Sequence, residues 1–202
     1  MRGKLILVTG GVRSGKSVFA ENAARNLGGR VTYVATCAPL DDEMCERIEA
    51  HRLRRPPDWK TIEEPVKVTD VLEAEGTRTD VLILDCLGVL VTNLLLQQDE
   101  GLRYDVGCKE VLTRVRQLAM VAQGVPAHVI IVSNEVGMGI VPVNPLGRLF
   151  RDILGWSNQI VADLADDVYF MVAGIPIEIK SLGRAASMFP RSRTNDRWQE
   201  PL

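Results

Sequence analysis

The stretch LILVTGGVRSGKSVFAENAARNL, residues 5–27, constrains this chain more than any other. At its centre, Gly10–Ser17 matches G-x-x-x-x-G-K-[ST] at every fixed position. A short β-branched apolar run (4–9) comes before it, and Val18, Phe19, Ala23 and Leu27 follow at helical spacing. A strand, a glycine-rich turn and a helix in that order point successive N–H groups at phosphates, and the helix N-terminus adds a favourable field. The expectation is a nucleotide cradle built from Gly10, Gly11, Val12, Arg13, Ser14, Gly15, Lys16 and Ser17. Lys16 would reach the β- and γ-phosphates and Ser17 would hold Mg2+.

The remaining apolar runs extend this beginning into a fold. RVTYVAT (30–36), VLILDC (81–86), HVIIVS (128–133) and DVYFMVAG (167–174) read as buried strands. Residues 41–55, 104–123 and 146–165 read as helices, the first starting on Asp41 and stopping at Pro56-Pro57. IPIEIK (175–180), with Pro176 near its start, suits an edge strand closing a C-terminal hairpin. Continuously apolar strands alternating with helices predict an α/β fold, a RecA-like P-loop NTPase with a mostly parallel sheet and helices on both faces. A single domain is expected over 1–180. Residues 181–202 lose periodicity, gain Ser, Arg and Pro, and are expected to form an irregular tail. Asp85, closing VLILDC, stands where a P-loop enzyme needs a carboxylate for the magnesium shell.

Composition excludes several classes of function. No apolar run approaches the roughly 18 residues of a membrane span, and the basic start runs into glycines without a cleavage site, which argues against a signal peptide. The four cysteines form no C-x-x-C pair, so neither a zinc site nor a disulfide framework is expected, and a reducing cytoplasm fits. A net charge of -2 gives no global pull toward nucleic acid, so anion binding must come from local clusters.

One such cluster is RIEAHRLRRP (47–56), which holds one of the chain's two histidines. His51 falls at the margin of the helix's apolar stripe, so two readings stand. One is a helix-end histidine favoured by the dipole. The other is a nucleophile toward phosphorus, with Arg52, Arg54 and Arg55 stabilising transition-state charge. His128, at the start of a strand without charged neighbours, reads as structural. Arg148, Arg151, Asn158 and Gln159 either line an acceptor site or form the polar face of their helix, and Glu135 is a candidate for positioning a hydroxyl or a metal-bound water.

Six ordered segments then become specific together. They are GGVRSGKS, YVAT, DDEMCERIEAHRLRRPPDWKTIEEP, LILDCLGVLVTNLL, VSNEVGMGIVP and GRLFRDILGWSNQIVADLADDVYFMVAGIPIEIK. This array resembles the bifunctional adenosylcobinamide kinase / adenosylcobinamide-phosphate guanylyltransferase family of cobalamin biosynthesis. R-I-x-x-H-x-x-x-R-P-x-x-W and N-E-V-G-M-G-I-V-P are its most specific parts. The resemblance implies phosphorylation of adenosylcobinamide by ATP or GTP, then GMP transfer from GTP through a guanylyl-histidine at His51. It further implies nucleotide contacts from Gly10 to Ser17, from Ala35, Thr36 and Cys37, from Arg52, Leu53, Arg54 and Arg55, from Glu63, and from Asp85. Homo-oligomers, trimers in particular, are implied as well. Two positions depart from the expected pattern: Asp85 has a shorter reach than Glu, and Gly88 lacks the hydroxyl expected after the C-[IL] pair. A small-metabolite kinase without guanylyl transfer and a RecA-like ATPase module are the competing readings.

Overall fold

The computed structural model describes residues 2–37, 52, 55–97 and 104–185. The expectations for His51, Leu53 and Arg54, and for the helix over 41–55, fall outside the described residues apart from Arg52 and Arg55. In chain order the elements are β1 (Leu5–Gly10), α1 (Lys16–Leu27), β2 (Val31–Ala35), β3 (Lys60–Glu63), α2 (Val68–Glu75) and β4 (Val81–Asp85). They continue with α3 (Leu87–Leu96), α4 (Tyr104–Gly124), β5 (His128–Val132), α5 (Pro145–Leu164), β6 (Asp167–Val172), β7 (Ile175–Glu178) and α6 (Ile179–Ala185).

The strands form one sheet in the order β3-β2-β4-β5-β1-β6-β7. Every neighbouring pair is parallel except β6 and β7, which close as an antiparallel hairpin. Pro176 pairs with Met171 on this edge strand, where a missing N–H costs the ladder nothing inside the sheet. The interior strands are mostly apolar because both faces are covered, with Thr9, Thr32, Asp85 and His128 among the exceptions. Leu5, Leu7, Leu82, Leu84, Val129 and Ile131 enter one core cluster with α2, α3, α4 and α5. Ile6, Val8, Val81, Ile83, Ile130 and Val132 enter the other, against α1. On α1, Ala20 and Ala24 are fully buried one turn apart, and their small side chains let the helix lie close to the sheet.

Four elements were not read from the sequence: β3, α2, α3 and, at the C-terminal end, α6. β3 (KTIE) is mostly exposed and polar, so it carries no apolar alternation; it is held by its register with β2. α2 is only eight residues long, too short to display periodicity clearly. α3 (LGVLVTNLLL) is apolar around most of its circumference, and a short apolar run does not announce its period.

The irregular tail expected from residue 181 needs correction, because α6 runs across that position to Ala185. Glu178 starts this helix by accepting from the N–H groups of Lys180 and Ser181, both at 2.9 Å. Lys180 Nζ in turn donates to the carbonyls of Ala162 (2.7 Å), Asp163 (3.2 Å) and Ala165, which satisfies the open C-terminal end of α5. His128 is structural as expected: its Nδ1 accepts from the Lys4 N–H at 3.0 Å.

Hydrogen bonds from the Ser181 hydroxyl and N–H hold the Glu178 carboxyl at about 2, against an ordinary 4.5. A carboxyl depressed in the folded state stabilises fully above its unfolded pKa, and that contribution is lost as pH falls toward the folded value. Glu178→Gln should therefore melt below the wild type at pH 7, with the gap narrowing steadily once pH drops under 4.5. Circular-dichroism melts between pH 7 and pH 3 measure this.

Candidate active site

Parallel pairing brings the strand ends to one edge. A single register row runs Glu63, Ala35, Asp85, Val132, Val8, Tyr169 and Glu178 across the seven strands. The loop 10–17 leaves β1 at this edge. Gly10 is required there: with φ 152°, a Cβ would meet the Met171 carbonyl oxygen at 2.5 Å and Ser14 Oγ at 2.9 Å. Gly15, with φ 95°, turns the chain into α1 and contributes no side-chain cap, so the first helical N–H groups remain for a ligand. Nothing lies within 4 Å of where a Gly11 Cβ would stand, which marks the open side of the loop.

Three backbone bonds brace the cradle. Ser14 N–H donates to Gly11 O at 3.3 Å, Glu135 N–H to Gly10 O at 3.0 Å, and Gly174 N–H to Ser14 O at 3.0 Å. Val12 and Arg13 are exposed on the rim, Arg13 with a left-handed φ of 56°. Lys16 is buried to 8% exposure, and its Nζ donates to Gly11 O at 2.7 Å, a bond within the loop that a phosphate oxygen can replace. Burial lowers its pKa, partly offset by the neighbouring Cys86 and Asp85. The Ser14 hydroxyl is buried without a hydrogen-bond partner among the described residues, and Ser17 sits half-buried in the first turn of α1.

β5 lies between β1 and β4, so Asp85 is two strand spacings, about 10 Å, from the axis of β1. Tyr33 is 1% exposed, and its hydroxyl donates to Asp85 Oδ2 at 2.6 Å. Burial first, then the Asp85 charge, push the phenol far above its ordinary value, so it remains a donor. The other face of Tyr33 carries the Arg55 guanidinium, whose carbon stands 3.7 Å from the ring centroid. Arg55 Nε is buried and finds no hydrogen-bond partner among the described residues. Arg52 is exposed and accepts the Arg55 N–H on its carbonyl at 3.2 Å. Burial pushes the Cys86 thiol up to about 12, which makes it a poor nucleophile.

Of the residues singled out from sequence, the cradle, Ala35 to Cys37, Glu63 and Asp85 all fall on this edge, and Arg55 reaches it over Tyr33. Thr36 is spent on the backbone. Its Oγ1 donates to Cys86 O and accepts from Cys86 N–H, both at 2.9 Å, and its N–H donates to Asp85 O at 3.2 Å. Glu63 is exposed at the end of β3, whereas neighbouring Glu64 is consumed by the N–H groups of Val66 and Lys67. Arg148 holds the carbonyls of Pro142 and Val143, and Asn158 holds Ser133 Oγ and Asn134 O; both thus brace the loop after β5.

Sequence reasoning missed Tyr33 and Asn93, whose Nδ2 ties Thr36 O to Pro65 O. A lone tyrosine inside a buried strand was the available signal, since its hydroxyl needs a partner. For a magnesium ion, Ser17 and Asp85 offer hard oxygen donors of the correct kind. Among the described residues no group of three or more His, Cys, Asp or Glu side chains gathers. That donor set suits an ion held by one carboxylate, substrate phosphates and water.

The family model that matches this chain, over residues 6–179, is described as cobinamide kinase / cobinamide phosphate guanyltransferase. The bifunctional adenosylcobalamin biosynthesis protein CobU of Escherichia coli K12 is 41% identical over 181 residues, covering 87% of this chain and 99% of that protein. The corresponding Salmonella typhimurium LT2 protein is 42% identical over 181 residues, with the same coverage. Protein CobP of Pseudomonas aeruginosa, also named bifunctional, is 41% identical over 174 residues, covering 86% and 96%.

Gly10→Ala tests the geometry of the cradle. The added methyl forces the loop off β6, so the variant should be about 1–3 kcal/mol less stable in denaturant titrations and should bind a fluorescent nucleotide far more weakly than the wild type.

Proposed function

The chain belongs to the cobinamide kinase / cobinamide phosphate guanyltransferase family, and on that premise we propose how one nucleotide edge serves both reactions. The protein is a bifunctional enzyme of cobalamin biosynthesis that phosphorylates a cobinamide and transfers a guanylyl group to the product. Its substrates are a corrinoid and nucleoside triphosphates. The observation that best supports a shared edge is the convergence of the braced cradle, Asp85 and Arg55 at the ends of β1, β4 and β2.

In the kinase step the substrate hydroxyl oxygen attacks the γ-phosphorus and loses its proton to solvent, the bond from that phosphorus to the bridging oxygen breaks, and a nucleoside diphosphate leaves. Lys16 and the loop N–H groups hold the non-bridging oxygens through this transfer, with charge stabilisation greatest where water is excluded. A bound Mg2+, held by Ser17 and Asp85, would neutralise phosphate charge. In the second reaction a ring nitrogen of His51 attacks the α-phosphorus of GTP, forming a P–N bond and expelling pyrophosphate. Arg52, Arg54 and Arg55 meet the charge that develops on the triphosphate. A phosphate oxygen of adenosylcobinamide phosphate then attacks the same phosphorus. The P–N bond breaks, adenosylcobinamide-GDP leaves, and neutral histidine returns. Glu63, exposed at the end of β3, accepts from the guanine N–H edge.

A homo-oligomer, a trimer by resemblance, is part of this proposal. The strong exposure of Met138, Ile140 and Val143 on the loop after β5 supports an assembly that covers them. No helix among the described residues is long and apolar enough to cross a membrane, and a cytoplasmic location belongs to the same proposal.

Incubation with α-labelled GTP and Mg2+ should attach acid-labile, alkali-stable label to the wild type and none to His51→Ala. An unlabelled wild type contradicts guanylyl transfer through this histidine. Glu63→Gln should weaken GTP binding roughly tenfold, as loss of a good base-edge pair does, while ATP binding stays within about twofold. Competition titrations read both constants.

A further inference from the structure

Tyr33 carries neither phosphate nor base in the scheme above, yet it touches Asp85, assigned to the metal, and Arg55, assigned to the triphosphate. Its hydroxyl and its ring act in different directions. The hydroxyl takes one oxygen of Asp85, Oδ2, at 2.6 Å. Among the described residues no protein donor takes Oδ1, so the carboxylate is fixed in orientation with one oxygen still free. The ring supports Arg55 at 3.7 Å, and no carboxylate among the described residues pairs with that guanidinium. Because Tyr33 is held at 1% exposure in the second strand of the sheet, neither contact yields easily to solvent.

The geometry points to Tyr33 as a positioning residue that aims Asp85 at the metal-bound nucleotide and ties it to the seat of Arg55. This rests on the reading of Asp85 as a holder of the magnesium shell. A carboxylate free to rotate would spend part of its time with both oxygens turned away from the metal's water shell, so metal affinity falls although the charge stays. The charge-assisted bond from a buried donor is what removes that freedom. The ring contact is chemically separate, since it needs the π face of the side chain and makes no use of the hydroxyl.

Tyr33→Phe separates the two contacts, because it keeps ring and volume and deletes only the donor. The probe is a fluorescent GTP analogue with a methylene bridge between the α- and β-phosphorus, which cannot pass its guanylyl group to the histidine. It is titrated against the full chain at several Mg2+ concentrations and again in EDTA. The expected result is a Mg2+ half-saturation concentration raised roughly five- to tenfold, with affinity in EDTA unchanged and a cooperative melt retained. Asp85→Asn is run beside it. If Asp85→Asn shifts the Mg2+ half-saturation and Tyr33→Phe does not, the positioning role is overturned and the metal reading stands. If neither shifts it, the metal reading fails and takes this inference with it. Equal losses with Mg2+ and in EDTA for Tyr33→Phe would mean a purely structural side chain, and would also overturn the proposal.

Discussion

Parallel pairing of six strands is the constraint on which the rest of this structure depends. Every crossover returns the chain to start the next strand from the same side, so β1, β2, β3, β4, β5 and β6 all end on one edge. The register row sets the last residues of β3, β2, β4 and β5 side by side, while β1 and β6 run on past it to Gly10 and Val172. Residues distant in sequence thus become neighbours without any dedicated contact drawing them together. Asp85 and the 10–17 loop lie more than sixty residues apart in the chain, yet only one strand separates theirs. Ligands of open α/β sheets collect at such carboxyl edges for this reason.

The electrostatics of the edge follow from burial. Lys16 is held in a poorly solvated position, where its charge is costly unless an anion compensates it, and its intraloop bond to Gly11 O is a weak substitute for phosphate. Tyr33 holds two charged groups at the sheet edge, with a carboxylate on its hydroxyl and a guanidinium on its ring. Thr36, Asn93 and Asn158 are polar groups at the same edge that serve the scaffold. They satisfy backbone groups where the strands give way to loops, a need that any buried strand end creates.

Legibility in the sequence tracked how local each signal was. The cradle was readable because its motif, strand and helix are contiguous, and the interior strands because burial on both faces makes them continuously apolar. The end hairpin was readable from Pro176. β3 was lost because an exposed edge strand has no apolar signature, and α3 because a helix buried nearly all round has no polar face to set its period. At the candidate site, residue types were readable and their loyalties were not. Glu63 and Glu64 are adjacent acids, and only the fold shows that Glu64 is spent on the start of α2 while Glu63 stays exposed. Arg148 and Asn158 looked equally suited to a substrate, but their donors go to the loop after β5. The role of His51 rests on resemblance and chemistry, since that residue lies outside the described part of the chain.

The central claim is that the cradle and the segment from Arg52 to Glu63 grip the same nucleotide. Hydrogen–deuterium exchange of the full chain, with and without saturating GTP and Mg2+, tests it most directly. The account predicts that bound nucleotide slows exchange in two separate stretches, Gly11–Ser17 and Arg52–Glu63. Protection confined to Gly11–Ser17, with Arg52–Glu63 exchanging as in the free protein, would contradict it.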